Sequence, residues 1–558
     1  MRTKSRLSLA LSLAATSLFV AAPMADADVT DCTYAKSKKL VTLTINNSDS
    51  TGWLFLERSL GTKKIGYRAE GQNWKGCEGA RTTDTNKVKV IGSSLSEDIY
   101  INLENGSFGP GAAQESSGVS EIEFTLALGA GTDTVTLMGG TASDRLGFPR
   151  ASQGTLNGDT DVDVVMEGVN HWRLDGGAGN DVLDGRGAPR VEVYGREGSD
   201  RLFGGAGSDD LFGDEGVSAS GDGSDVLNGG AGDDDMYGNH GADTLIGGDG
   251  DDELYGNENG DDVKGGAGDD QLGTDSVKDG ADDLDGGSGN DYVGYWNRSA
   301  DLKLSLDGKA NDGAKGEGDD LAGNIERLYS GDGNDVLIGN NAPNGLNSDD
   351  GNDVLKGLGG DDDFDDGAGN DELFGGSGDE FFGSDLGNDR IFAGDGNDNV
   401  YPGSADDGSD VLSGGAGEDT VNYSARSGAL FIDVNSGAND GEAGEGDAVR
   451  DDFENIYGGN ASDQIRGSNR AEYISGGGST GDDIINGRGG ADRLDGNDGD
   501  DHIIGGEGYD TVYADDGDDT IEVADEGEDW VDCSTGAADT LLSFDDYDDR
   551  FGCEIEVV

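Results

Sequence analysis

Gly176-Gly177-Ala178-Gly179-Asn180-Asp181-Val182-Leu183-Asp184 is a nine-residue unit that the chain repeats. The register recurs in three blocks, Gly176 to Gly294, Ser330 to Asn422 and Gly458 to Asp532, with short insertions inside some turns. It holds in 29 units, and position eight is apolar in each: Leu183, Leu202, Leu211, Leu227 and Met236 begin the series, and Ile503, Val512, Ile521 and Val531 end it. Position six is Asp in 26 units, and Asn344, Glu380 and Glu472 supply an oxygen in the other three. The first block contributes Asp181, Asp200, Asp209, Asp225, Asp234, Asp243, Asp252, Asp261, Asp270, Asp282 and Asp291. The second contributes Asp335, Asp353, Asp362, Asp371, Asp389, Asp398, Asp410 and Asp419, and the third Asp463, Asp483, Asp492, Asp501, Asp510, Asp519 and Asp529. Acidic residues are about a fifth of the chain, so a column this pure is not compositional noise.

Each unit has two halves. Glycines at positions one, two and four allow the positive φ of a tight turn and leave backbone carbonyls open on its inner side. The last three residues form a short strand whose central apolar side chain points inward while its neighbours face solvent. One such strand buries almost nothing, so units must stack, two to a layer, with layers about 4.8 Å apart. The position-six carboxylates then pile into two columns that repel themselves. A hard dication taking roughly six to eight oxygens at about 2.3–2.6 Å fits between successive turns, and calcium suits that flexible shell better than magnesium. A merely solvated acidic face has no need of glycine at three fixed positions. Insertions before Asp225, Asp282, Asp410 and Asp483 are expected to disturb local coordination.

The unit, GGxGxDxUx, resembles the hemolysin-type calcium-binding (RTX) repeat, and clear copies cover about half the chain. The resemblance implies an all-β fold, a parallel β-roll or β-solenoid, with multiple Ca2+ as the cofactor. Members of that family often append a protease or lipase and leave the cell through an exporter that reads a C-terminal signal.

Composition narrows the partners. The formal net charge is -80, from 117 Asp and Glu against 37 Lys and Arg, with 103 glycines and only 33% hydrophobic residues. Such a charge repels nucleic acid and anionic lipid, so no nucleic-acid partner and no membrane insertion are expected, and cations are the natural partner. The same numbers describe an acidic disordered chain, and the periodicity argues against that reading.

Residues 1–27 carry Arg2, Lys4 and Arg6, an apolar run from Leu7 to Ala22, and Ala25-Asp26-Ala27, the pattern of a secretory signal peptide cleaved after Ala27. Ser8, Ser12, Thr16 and Ser17 interrupt the run, against a membrane anchor. A secreted, extracellular protein is expected, in which cysteines oxidise. Cys32, Cys77, Cys533 and Cys553 allow three connectivities, and closing the nearest pairs costs least chain entropy and puts one bridge at each end. A four-thiolate zinc site would carry C-x-x-C spacing, which is absent.

Between the blocks, 295–329 is repeated as 423–457: Tyr295 to Arg298, Asn311 to Gly313 and Glu317 to Asp319 recur 128 residues on. Each copy reads as a wider coil of the solenoid, with an alternating strand (Leu302, Leu304, Leu306; Leu430, Ile432, Val434) before an acidic loop that is a candidate further calcium site or a plain surface loop. Residues 28–170 alternate at Val41, Leu43, Ile45, then Val88, Val90, then Ile99, Ile101, Leu103 and then Ile122, Phe124, Leu126, Leu128, and read as an all-β cap with degenerate units at Gly129 to Asp133 and Gly139 to Leu146. The domain order is therefore a signal peptide at 1–27, a cap at 28–170, repeats at 171–294, a spacer at 295–329, repeats at 330–422, a spacer at 423–457, repeats at 458–532 and a disulfide-closed cap at 533–558.

No catalytic constellation emerges. His171, His240 and His502 are isolated, HExxH is missing, and the one GxSxG match, Gly477 to Gly481, lies inside a repeat turn rather than between a strand and a helix. The expected protein is a monomeric, non-enzymatic calcium binder with a structural or interaction role, the alternatives being an extracellular adhesin or matrix protein and a hydrolase hidden in 28–170.

Overall fold

The computed structural model describes residues 29–555 apart from 36–39, 46–51, 59–63, 70–74, 82–86, 92–95, 104–122, 151, 157–163, 215–222, 275–277, 279, 404–407, 435–436, 479–480, 526, 534–537 and 545–547. The proposed signal peptide lies outside the described residues, as does Ser479. Every regular element among the described residues is a strand. The chain divides into two compact units, Met1–Asp275 with Asp279–Asp291 and Ser276–Lys278 with Tyr292–Val558.

In the first unit the nonapeptide strands alternate between two parallel sheets. Leu227 pairs with Leu245, Leu245 with Val263 and Val263 with Leu284 in one. Leu211 pairs with Met236, Met236 with Leu254 and Leu254 with Leu272 in the other. Each strand therefore meets the strand two units on, and two units make one layer. Position-eight side chains of the two sheets face each other and are sealed, Leu227, Met236, Leu245, Leu254 and Leu272 all at 0% exposure. Position nine faces out, where same-face neighbours stack: the rings of Tyr194, Phe212, Tyr237 and Tyr255 follow one another at 4.9, 5.3 and 5.1 Å.

Longer strands lead into these sheets. Leu40–Ile45, Lys87–Ile91, Glu123–Ala127 and Val164–Glu167 run parallel in one sheet. Gly52–Arg58, Glu97–Asn102, Thr134–Met138 and His171–Ala178 do so in the other. Their interior holds Leu43, Leu54, Leu56, Val88, Val90, Ile99, Ile101, Phe124 and Leu126. Antiparallel strands flank them: Val29–Ala35 pairs with Leu40–Ile45, and Lys64–Ala69 lies between Gly52–Arg58 and Lys75–Arg81. A disulfide joins Cys32 to Cys77, Cα atoms 5.6 Å apart.

The second unit repeats the arrangement. Leu337, Leu355, Leu373, Ile391 and Leu412 form one inner row, and Leu328, Leu346, Phe364, Phe382, Val400 and Val421 the facing one. From residue 455 onward the rows are Ile465, Ile485, Ile503, Ile521 and Ile456, Ile474, Leu494, Val512, Val531. Each spacer is one wide coil: Lys303 pairs with Val336 and Phe431 with Gln464, 33 residues on, where ordinary units pair 18 apart. Cys533 and Cys553 form the second disulfide.

Candidate metal centre

Glycine makes the stacking of turns possible. Gly248 and Gly250, positions two and four, sit at φ +128° and +138°, and a Cβ on either would stand 2.1 and 2.2 Å from the carbonyl oxygens of Gly230 and Gly232 in the turn beneath. An alanine there meets both a backbone conformation that L residues avoid and a steric wall.

The tight stacking aligns the position-six residues. The Asp181 amide donates to Asp200 Oδ1, Asp200 to Asp225, Asp225 to Asp243 and Asp243 to Asp261, at 2.6–2.8 Å. On the opposite side Asp209, Asp234, Asp252, Asp270 and Asp291 are linked in the same way at 2.7–2.9 Å. In the second unit one column runs through Asp335, Asp353, Asp371, Asp389 and Asp410. Others run through Asn344 and Asp362, then Glu380, Asp398 and Asp419, then Asp463, Asp483, Asp501 and Asp519, and finally Glu472, Asp492, Asp510 and Asp529. All 26 position-six aspartates are buried.

The insertions do not interrupt this hydrogen-bonded order. Asp200 to Asp225 spans 25 residues, Asp389 to Asp410 spans 21 and Asp463 to Asp483 spans 20, with the same amide-to-Oδ1 bond as in an 18-residue step.

One oxygen of each carboxylate is thus held, and the other is the notable one. Oδ2 of Asp181, Asp200, Asp225, Asp234, Asp243, Asp252, Asp353 and Asp371 is buried without a hydrogen-bond partner. It faces the opening glycine of its own turn: a Cβ on Gly247 would lie 2.2 Å from Asp252 Oδ2 and 2.6 Å from the Gly265 carbonyl oxygen. A buried anionic oxygen without a partner costs several kcal/mol, of order 1–3 even for a neutral group. Carboxylate and carbonyl oxygens at every level, with no nitrogen or sulfur donor, form the donor set of a hard divalent cation, so these residues fit calcium.

Electrostatics point the same way. Burial, with like charges along the column, pushes Asp225 up to about 9, Asp234 and Asp501 to about 8, and Asp252 and Asp371 to about 7, and burial alone raises Asp243 to about 7. A proton on these oxygens near neutrality would compete with a bound cation. The calcium concentration needed for half-saturation is expected to rise on going from pH 8 to pH 6, a range in which an exposed carboxylate with a pKa near 4 stays ionised. Calcium titrations followed by circular dichroism at pH 8, 7 and 6 check this, and equal midpoints contradict it.

The columns extend past the residues read from the repeat. Asp144 precedes Asp181, Asp447 follows Asp410, Glu454 follows Asp419, Asp539 follows Asp519 and Asp548 follows Asp529. Their turns have lost glycines, but four of the five keep an apolar residue two positions on: Leu146, Val449, Ile456 and Leu541. That carboxylate-plus-two spacing is the signal that remains in the sequence.

In the spacer loops a buried arginine pairs with a glutamate. Glu317 pairs with Arg298 at 2.9 Å and Glu445 with Arg426, all four side chains at most 1% exposed. Asp319 and Asp447 accept from the hydroxyls of Tyr295 and Tyr423 at 2.9 and 3.2 Å. The acidic loop is therefore folded around an arginine.

Of the histidines, His502 Nε2 lies 3.1 Å from Glu522 Oε1 and His240 Nε2 3.6 Å from Glu258 Oε2, across neighbouring strands of the roll surface. The segment Gly477 to Gly481 sits between the strands Tyr473–Ser475 and Ile484–Gly490, without the following helix of a nucleophile elbow.

Two facing parallel sheets of nonapeptide strands, with buried aspartates stacked at the turns, define a calcium-binding β-roll. The RTX calcium-binding nonapeptide repeat family matches the chain over residues 173–188, 192–217, 219–245, 237–272, 278–293, 323–342, 347–380, 384–407, 404–425, 477–503 and 495–531, and the chain belongs to that family. No curated relative matches the chain significantly.

Proposed function

We propose that the protein is secreted, folds as its repeats take up calcium outside the cell, and serves there as a monomeric structural or interaction element without catalytic activity. The position-six residues, Asp181 through Asp529, are the ion ligands in this reading, with the glycine-turn carbonyls completing the shell. The signal-peptide pattern of residues 1–27 and the two disulfides support an oxidising destination. The strands before residue 170 serve as the cap of the roll's N-terminal edge and 533–558 as that of the other. The observation that carries the proposal is the row of buried, unpartnered Oδ2 atoms set against glycine turns.

Asp243 and Asp261 are neighbours in one column and Asp252 lies in the other. Replacing all three with alanine is expected to raise the calcium midpoint of β-structure formation on the order of tenfold, because each ion loses charge that sets affinity. Magnesium at equal concentration should fail to replace calcium in the wild type. An unchanged midpoint in the triple variant excludes these side chains as ligands.

A further inference from the structure

Among the turns of the second block, one carries a carboxylate at its first position. In the second block the residue opening the turns of Asp335, Asp353, Asp371 and Asp389 is Ser330, Ser348, Asp366 and Ser384 instead of glycine. All four are buried, Asp366 to 0% exposure. The glycine turns show where such a side chain is delivered: a Cβ on Gly357 or Gly265 would stand 2.0 or 2.3 Å from Oδ2 of its own turn's aspartate, Asp362 or Asp270. Ser384 meets that oxygen with a hydroxyl, donating to Asp389 Oδ2 at 2.8 Å. Asp366 brings a second carboxylate to the place where one already lacks a partner.

Oxygens of Asp366, Asp371 and Asp389 lie within 4.8 Å of one another. Asp366 Oδ2 lies 2.9 Å from the Ser384 hydroxyl oxygen, and its Oδ1 accepts from the Asp385 amide at 3.0 Å. Asp371 Oδ2, fully buried, has no partner. The charges felt most strongly by Asp366 are Asp389 and Asp371, both negative. Oxygens bound at about 2.3–2.6 Å to one calcium are at most about 5 Å apart, so the triangle has the size of half a coordination shell.

We propose that Asp366, Asp371 and Asp389 form a three-carboxylate site that holds one calcium ion more tightly than the surrounding glycine and serine turns, and releases it last. The proposal rests on the reading of the columns as calcium ligands and adds a ligand outside the repeated position. Affinity in oxygen sites rises with the number of charged ligands, which sets this level apart.

The test is stepwise chelation of the full chain with increasing EGTA, bound calcium being measured by atomic emission, for wild type, Asp366→Gly and Asp366→Ser. Both substitutions copy residues found at position one of other turns, so the roll should form in excess calcium with an unaltered β signal. Wild type is expected to retain one calcium per chain at an EGTA concentration that strips the others, and both variants to lose it at tenfold or more lower EGTA. Release curves that coincide for wild type and both variants overturn the Asp366 site while leaving the columns intact. Failure of the wild type to bind any calcium overturns the columns and this site together.

Discussion

Transferred from millimolar calcium to EDTA at pH 8, the protein is expected to lose most of the β signal of residues 171–532 and to expand hydrodynamically, and to recover both when calcium is returned. The columns dictate this. Buried carboxylates such as Asp225, Asp243, Asp252 and Asp371 hold one oxygen on an amide and leave the other without a partner. The apolar interior available to offset that cost is one residue in nine from each turn. A ligand present at 100 times its Kd adds about 2.7 kcal/mol per site, so roughly four such ions supply as much as the 5–15 kcal/mol that holds an ordinary domain. Acid partly substitutes for calcium, with a definite sign. These carboxylates have folded-state pKa values raised from 3.8 to between about 6 and about 9. Protonation therefore stabilises the ion-free fold, fully below about pH 4, and that contribution disappears as pH climbs through 6 to 9. In EDTA the β signal should consequently be larger at pH 5 than at pH 8. Circular dichroism with sedimentation velocity measures both effects, and an EDTA sample at pH 8 as compact as the calcium form refutes the argument.

The roll was legible in the sequence because three requirements coincide in each unit. Only glycine reaches φ values such as those of Gly248 and Gly250, the strand alternation leaves Leu245 inside and its neighbours outside, and a carboxylate recurs at the turn. Periodicity gave the two-unit layer and every position-six residue. It gave less where one requirement lapses. Asp447 and Glu454 occupy the columns in turns that have lost the glycine pattern, and Asp548 precedes Arg550 where an apolar residue stands elsewhere. Asp366 looks like one more acidic residue in a sequence full of them, and only the position-one geometry, shown by the Cβ contacts of Gly357, directs its side chain to the column. In the acidic spacer loops, sequence does not show that Arg298 and Arg426 turn inward to pair with Glu317 and Glu445.

That inward turn sets the second large effect. Replacing Arg426 by Met is expected to destabilise the calcium-saturated protein by about 3–5 kcal/mol, because Glu445 is left as a buried charge without its counterion. The Arg426 side chain is 0% exposed, binds Glu445 through Nη1 and donates through Nη2 to the Pro402 carbonyl oxygen at 2.7 Å, tying the wide coil of 423–457 to the strand Asn399–Pro402 of the preceding block. The double variant Arg426→Met with Glu445→Leu removes both charges together and should recover most of the loss, since apolar replacement of a whole buried pair is often neutral. Arg186 and Asp184 provide the contrast: the arginine is 66% and the aspartate 34% exposed, and Arg186→Ala should cost less than about 1 kcal/mol. Thermal unfolding at a fixed, saturating calcium concentration separates the three, since ion binding then contributes equally to each. If Arg426→Met melts where Arg186→Ala does, the pair carries no more weight than a surface contact. If the double variant is as unstable as the single, the loss comes from packing around the arginine and its bond to Pro402 rather than from the stranded charge of Glu445.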